Sequence, residues 1–150
     1  MRNKKQVKWV AVSGGFDPVH IGHVRMFQRA HKYGDKVVVI MNNDNWLRAK
    51  KGAVFMPQKE RAEILRALAC VDKVIISMHI PDDTDRSVCK ELELLRPAVF
   101  ANGGDRKSTK DIPEAKICKK LGIEMVFNVG GEKVQSSSWL IDNAKKQRGS

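Results

Sequence analysis

Little in this chain points to a secreted or membrane protein. Its three cysteines, Cys70, Cys89 and Cys118, are odd in number and widely spaced, which excludes a disulfide framework and a Cys/His zinc cluster. They read as ordinary thiols of a reducing compartment, so a cytoplasmic location is expected and a structural metal is not. No apolar run approaches the roughly 20 residues that span a bilayer, and no apolar segment of the signal-peptide kind precedes the first strand-like run. A membrane partner is therefore not expected. Repeats, linkers and shifts of composition are also absent. The 150 residues are expected to form one domain, long enough to bury about 70% of the surface that the unfolded chain exposes.

Negative charge is in short supply too. Seventeen acidic residues face 28 lysines and arginines, a net charge of +11. Seven of those cations lie in two acid-free end segments: Arg2, Lys4, Lys5 and Lys8 at one end, Lys145, Lys146 and Arg148 at the other. The body keeps 21 cations against 17 acids. Residues 1–6 and 145–150 are expected as flexible basic tails. Aromatics make up only 6% of the chain and no stacking set accompanies the charges, so nucleic acid is not an expected partner. The mild excess on the body suits a polyphosphate.

What is present is a regular alternation of strand and helix patterns. Strands are expected over 7–12, 36–41, 72–78, 98–101 and 123–129, with helices over 22–33, 58–69, 84–95, 113–121 and 136–146. The run K-V-V-V-I-M at 36–41 is nearly all apolar, as a buried parallel strand requires. The pattern predicts an α/β, Rossmann-like three-layer domain around a five-stranded parallel sheet. Ligands of such sheets bind at the C-terminal strand ends near the switch in strand order. That rule gathers the loops 13–22, 42–57, 102–112 and 129–136 on one edge.

The first of these loops carries the strongest chemistry. Ser13-Gly14-Gly15-Phe16-Asp17-Pro18-Val19-His20-Ile21-Gly22-His23 joins a strand to a helix start through glycines. Unpaired N–H groups and the helix dipole make that junction an anion site. His20 and His23 add two imidazole donors, which suits a phosphate gaining charge in a pentacoordinate transition state. Gly14, Gly15, Phe16 and Gly22 are expected to lie against the phosphates. Asp17 either holds the turn backbone or contacts Mg²⁺ or an acceptor substrate.

The other loops add partners. Arg48, Lys50 and Lys51 follow a buried strand, and at least one of them is expected to clamp phosphate. Arg61 shares a helical face with Leu65 and Leu68, and is expected to reach the phosphates in preference to a buried carboxylate. Gly103 and Gly104 let the backbone approach a flat ligand, with Asp105 accepting from a base or ribose. Ser136, Ser137 and Ser138 either cap the last helix or form a second phosphate site.

Taken together, G-G-F-D-P-V-H-I-G-H, the N-N-D…A-K-K-G loop, Q-K-E-R-A-E-I-L-R-A-L with V-D-K-V, P-A-V-F-A-N-G-G-D and Q-S-S-S-W-L-I resemble the H-x-G-H nucleotidyltransferases over residues 8–142. The likeness is to the small cytidylyltransferase-like group, which includes glycerol-3-phosphate cytidylyltransferase and the transferase domain of ADP-heptose synthase. The resemblance implies attack by an acceptor phosphate on the α-phosphorus of a nucleoside triphosphate, with Mg²⁺, release of pyrophosphate and a homodimer. It implies that His20 and His23 stabilise the transition state. Lys50 or Lys51, together with Arg61, would hold the triphosphate, and Ser136–Ser138 would match the family's I-S-T-T segment. Where related cytidylyltransferases carry R-T-x-G, this chain has Gly130-Gly131-Glu132-Lys133-Val134. That departure leaves CTP and ATP both open, with a sugar- or polyol-phosphate as the expected acceptor. Adenylyltransferases of phosphopantetheine, NMN or FMN share the signature and are the alternative, beside a non-catalytic nucleotide- or nucleic-acid-binding module.

Overall fold

The computed structural model describes residues 6–103, 112–131 and 135–149. Five parallel strands form one sheet: β1 (Trp9–Gly14), β2 (Lys36–Met41), β3 (Lys73–Ile76), β4 (Val99–Ala101) and β5 (Glu124–Val126). Their spatial order is β3-β2-β1-β4-β5, so the chain builds outward from β1 in one direction and then returns to its other side. The switch point lies between β1 and β4, where open α/β sheets leave a crevice.

Helices cover both faces, as the expected three-layer arrangement requires. Val10, Val12, Val37, Val39 and Met41 pack on α1 (Ile21–Ala30) and α3 (Gln58–Ala67) through Phe27, Ala30, Ala62 and Leu65. The alternate strand residues Ala11, Val38, Ile40 and Phe100 meet α4 (Cys89–Leu95) and α5 (Ala115–Leu121). This alternation follows from the two-residue period of a strand. Both faces of β2 are buried, which accounts for its uninterrupted apolar run.

The segment read as a basic loop contains a sixth helix, α2 (Asp44–Lys51). Asn43 caps it by accepting from Trp46 N–H, and Gly52 closes it with a left-handed φ of 81°. The expected helix over 84–95 starts only at Cys89, because Asp85 folds the preceding residues into a turn on Ser87. At the C-terminus, α6 (Ser137–Arg148) runs through Lys145, Lys146 and Arg148. Those cations therefore sit on a last helical turn, where they complement the helix dipole, and not on a loose tail.

Candidate active site

The two histidines begin α1. His20 is the N-cap, and its Nδ1 accepts from Gly22 N–H at 3.1 Å. The Nδ1 of His23 accepts in turn from His20 N–H at 3.2 Å. The pair is a capping box made of two imidazoles. A neutral ring whose Nδ1 accepts must carry its proton on Nε2, so both rings present Nε2–H as donors. The rings stack with centroids 3.7 Å apart and planes at 25°.

This geometry corrects the expected source of the donors. The N–H groups of Gly22, His23 and Val24 are satisfied within the helix start itself. Those three N–H groups are therefore not open to a phosphate. Gly22 is thus part of the cap, where a phosphate contact had been expected.

Phe16 departs from expectation as well. Its ring is buried and packs edge-on against His23 at 4.8 Å and Phe27 at 5.3 Å. Its φ of 52° is a strained value for a side-chain-bearing residue. The ring is part of the core and props up His23. Gly14 makes room for it, since a Cβ there would come within 2.9 Å of the Phe16 ring. A Cβ at Gly15 would meet Leu47 and Trp46 at 3.0 and 3.1 Å.

Asp17 is buried, and its two oxygens accept from Phe55 N–H at 2.7 Å and Met56 N–H at 2.6 Å. It clamps the loop before α3 onto the histidine turn, which takes it away from the metal or acceptor contact considered for it. Among the described residues no cluster of three or more His, Cys, Asp or Glu side chains is placed to hold a metal ion. These residues do not by themselves fit a magnesium site.

Arg61 carries the largest correction. It is fully buried and donates to Met56 O, Gly15 O, Asn42 O and the Asp44 carboxylate at 2.7–2.8 Å. Four donors of one guanidinium thus tie the glycine turn, the end of β2, the start of α2 and the loop before α3 into a unit. None of these contacts is to a position open to a phosphate. The helical face it shares with Leu65 is buried, and burial there selects the carboxylate partner.

The two lysines at the end of α2 diverge. Lys50 extends over the Trp46 ring, with Nζ 4.9 Å from its centroid. Lys51 lies close enough to His23 for its charge to act on that ring. Burial, followed by the neighbouring His20 and then Lys51, pushes the His23 pKa down to about 3. His23 is therefore a neutral donor across the neutral range. Between about 3 and 6.5 the unfolded chain binds a proton here that the folded chain does not. Stability should therefore fall as pH drops through that window. In urea titrations at stepped pH, His23→Gln is expected to lose stability less steeply from pH 6.5 downward than the wild type; identical slopes would count against the buried neutral ring.

The serines divide between capping and docking. Ser136 caps α6 by accepting from Trp139 N–H at 3.0 Å. Ser137 Oγ donates to Pro18 O at 2.8 Å and so fastens the start of α6 to the histidine turn. Ser138 is exposed. Gly103 lies under α1, where a Cβ would meet Met26 Sδ at 2.6 Å. Gly104, Asp105 and Lys133 lie outside the described residues.

Beside the histidine turn, at the C-terminal ends of β1, β2 and β4, opens a pocket of about 220 Å³. Ser13, Gly14, Asn42, Asn102 and Gly103 line the strand side. Trp46, Lys50, Arg86 and Glu114 belong to the same lining. Trp46 Nε1–H donates to Arg86 O at 3.0 Å, and Arg86 Nη2 donates to Ala49 O at 3.1 Å, which joins α2 to the loop before α4. Asn42 was legible as the residue following a buried strand. Arg86 and Glu114 had no local signal, because only the return of distant segments brings them to this edge.

A family model described as cytidylyltransferase-like matches residues 11–144. A bifunctional protein HldE of Geobacter metallireducens is 41% identical over 146 residues, which is 95% of this chain and 28% of that protein. A bifunctional protein HldE of Streptomyces coelicolor is 40% identical over 120 residues, 79% of this chain and 24% of that protein. The chain thus spans about a quarter of the length of these curated relatives. Among solved structures, a lipopolysaccharide core biosynthesis protein from Thermoplasma volcanium aligns with a TM-score of 0.67 at 24% identity. That alignment covers 87% of this chain and 99% of that one, and the likeness extends to the fold. No helix among the described residues is long and apolar enough to cross a membrane.

Proposed function

Because the chain belongs to the cytidylyltransferase-like family and is a nucleotidyltransferase, we propose that it joins a nucleoside triphosphate to a sugar- or polyol-phosphate. An oxygen of the acceptor phosphate attacks the α-phosphorus, and the bond from that phosphorus to the bridging oxygen breaks. Pyrophosphate leaves with the bonding electrons. The observation that carries this reading is the pair of stacked imidazoles held by a backbone-locked capping box at the switch point. Negative charge grows on the equatorial oxygens as the fifth bond forms, and prearranged donors there lower the barrier with no reorganisation at that moment.

Further roles follow within the same proposal. Lys51, beside His23, contributes positive charge on the triphosphate side. The backbone of the Gly14–Gly15 turn, Gly103 with Gly104 and Asp105, and the start of α6 at Ser136–Ser138 border the nucleotide. Lys50 and Arg86 bring cationic charge to the acceptor's phosphate in the adjoining pocket. Magnesium enters with the triphosphate, as part of the substrate. Cytoplasmic placement accords with three free cysteines. A homodimer belongs to the same proposal, and large apolar side chains such as Phe55 and Leu94 stand exposed.

Pyrophosphate release from ATP and CTP, each paired with heptose 1-phosphate, glycerol 3-phosphate and other polyol phosphates, tests the proposal. One pair is expected to turn over well above the background of triphosphate alone. Turnover only with phosphopantetheine, NMN or riboflavin phosphate would replace the acceptor class. No turnover with any pair, together with tight RNA binding that weakens steeply with salt, would overturn the enzyme reading.

A further inference from the structure

Three buried side-chain oxygens among the described residues lack a hydrogen-bond partner: Asn42 Oδ1, Glu91 Oε2 and Glu114 Oε2. Two of the three belong to residues that line the pocket beside the histidine turn. Asn42 and Glu114 are themselves 4% and 5% exposed. An unpaired buried acceptor costs about 1–3 kcal/mol, more when charged, so two such atoms in one pocket call for donors from outside the chain.

We infer that Glu114 and Asn42 are specificity-determining residues that accept hydrogen bonds from hydroxyl groups of the acceptor substrate. The inference rests on the pocket's being the acceptor site of the proposed transfer. Glu114 is fixed on one side, since its Oε1 accepts from Val88 N–H at 3.1 Å. The terminal torsions of Glu and Asn side chains are broad, so Oε2 and Oδ1 reach a ligand by a small rotation. Charge sets the direction in which the ligand lies. The carboxylate of Glu114 repels a phosphate, while Lys50 and Arg86 attract one, so the phosphate pairs with the two cations and the neutral remainder meets Glu114.

That remainder must carry donors. Ser13 and Asn102 add polar groups to the same lining. An apolar arm would leave both orphaned oxygens as they are. A polyhydroxylated ring or chain satisfies them. A site built to bond hydroxyl groups also rejects analogues that lack them far more strongly than an apolar pocket rejects a missing methylene.

Isothermal calorimetry with heptose 1-phosphate, glucose 1-phosphate and cyclohexyl phosphate tests the assignment, because the last keeps ring and phosphate but has no hydroxyl groups. The wild type is expected to bind at least one sugar phosphate about tenfold or more tightly than cyclohexyl phosphate. Glu114→Gln keeps a carbonyl for Val88 N–H, and replaces the charged acceptor with an amide. It is expected to remove most of that preference while binding cyclohexyl phosphate and the triphosphate as before. Asn42→Ala, whose backbone bonds to Gly14 and Arg61 remain, is expected to reduce the preference independently. Equal wild-type affinity for all three phosphates overturns the inference, as does a Glu114→Gln variant that weakens all three alike. The comparison within the wild type stands even where a variant folds poorly. A protein that prefers the sugar phosphates yet releases no pyrophosphate from any triphosphate supports this inference and overturns the transfer reaction. Pyrophosphate release without that preference does the reverse.

Discussion

His20→Ala and His23→Ala are each expected to lower kcat by about 10²–10³ while leaving triphosphate affinity within a few-fold. The rings supply donors whose bonds strengthen as charge develops on the phosphorus oxygens, so their loss is felt in the transition state and not in ground-state binding. The two losses should combine to less than their product. Each ring holds the other: His23 Nδ1 accepts from His20 N–H, and the rings stack at 3.7 Å. Asparagine at position 20 restores a capping acceptor for Gly22 N–H without an imidazole donor. His20→Asn should therefore recover stability lost in the alanine variant but not its activity. Single-turnover rates and calorimetric affinities on the same preparations separate the two contributions. Near-wild-type turnover in either alanine variant would remove the histidines from the chemistry.

The second large effect concerns stability. Arg61→Met should shift the urea midpoint strongly downward, by the equivalent of about 3–5 kcal/mol. A typical domain has only about 5–15 kcal/mol in all. The substitution leaves the Asp44 carboxylate without its buried partner and the carbonyls of Gly15, Asn42 and Met56 without a donor. Arg61→Lys should recover little, because one ammonium cannot serve four acceptors spread around a planar fork. A phosphate-binding arginine would behave differently. Its loss would raise the KM for triphosphate at unchanged stability, and that outcome would reinstate Arg61 as a substrate contact.

Arg61 also shows where sequence reading reaches its limit. Its position on the apolar face of α3 was legible from its spacing to Leu65 and Leu68. What lies opposite that face was not, because Gly15, Asn42 and Asp44 arrive from segments 17 to 46 residues away. Asp17 repeats the lesson, with partners 38 and 39 residues distant. The helix over Asp44–Lys51 is a different kind of miss. Asn43 and Gly52 are ordinary start and stop signals, but the polar residues between them have a loop's composition, and only the fold buries Trp46 and Leu47.

By itself, then, the sequence determined the α/β layering, since strand and helix periods are local consequences of side-chain direction. It likewise determined that glycines and two imidazoles share one strand-to-helix junction, because they all lie within eleven consecutive residues. Only the tertiary structure decided what the remaining polar groups do. It turned Asp17 and Arg61 inward as clamps, sent Lys50 and Lys51 in different directions, and brought Glu114 to Asn42 at one pocket. Burial of a charged or polar group is tolerable only where partners converge on it, and that convergence is a property of the folded chain and of no single stretch of it.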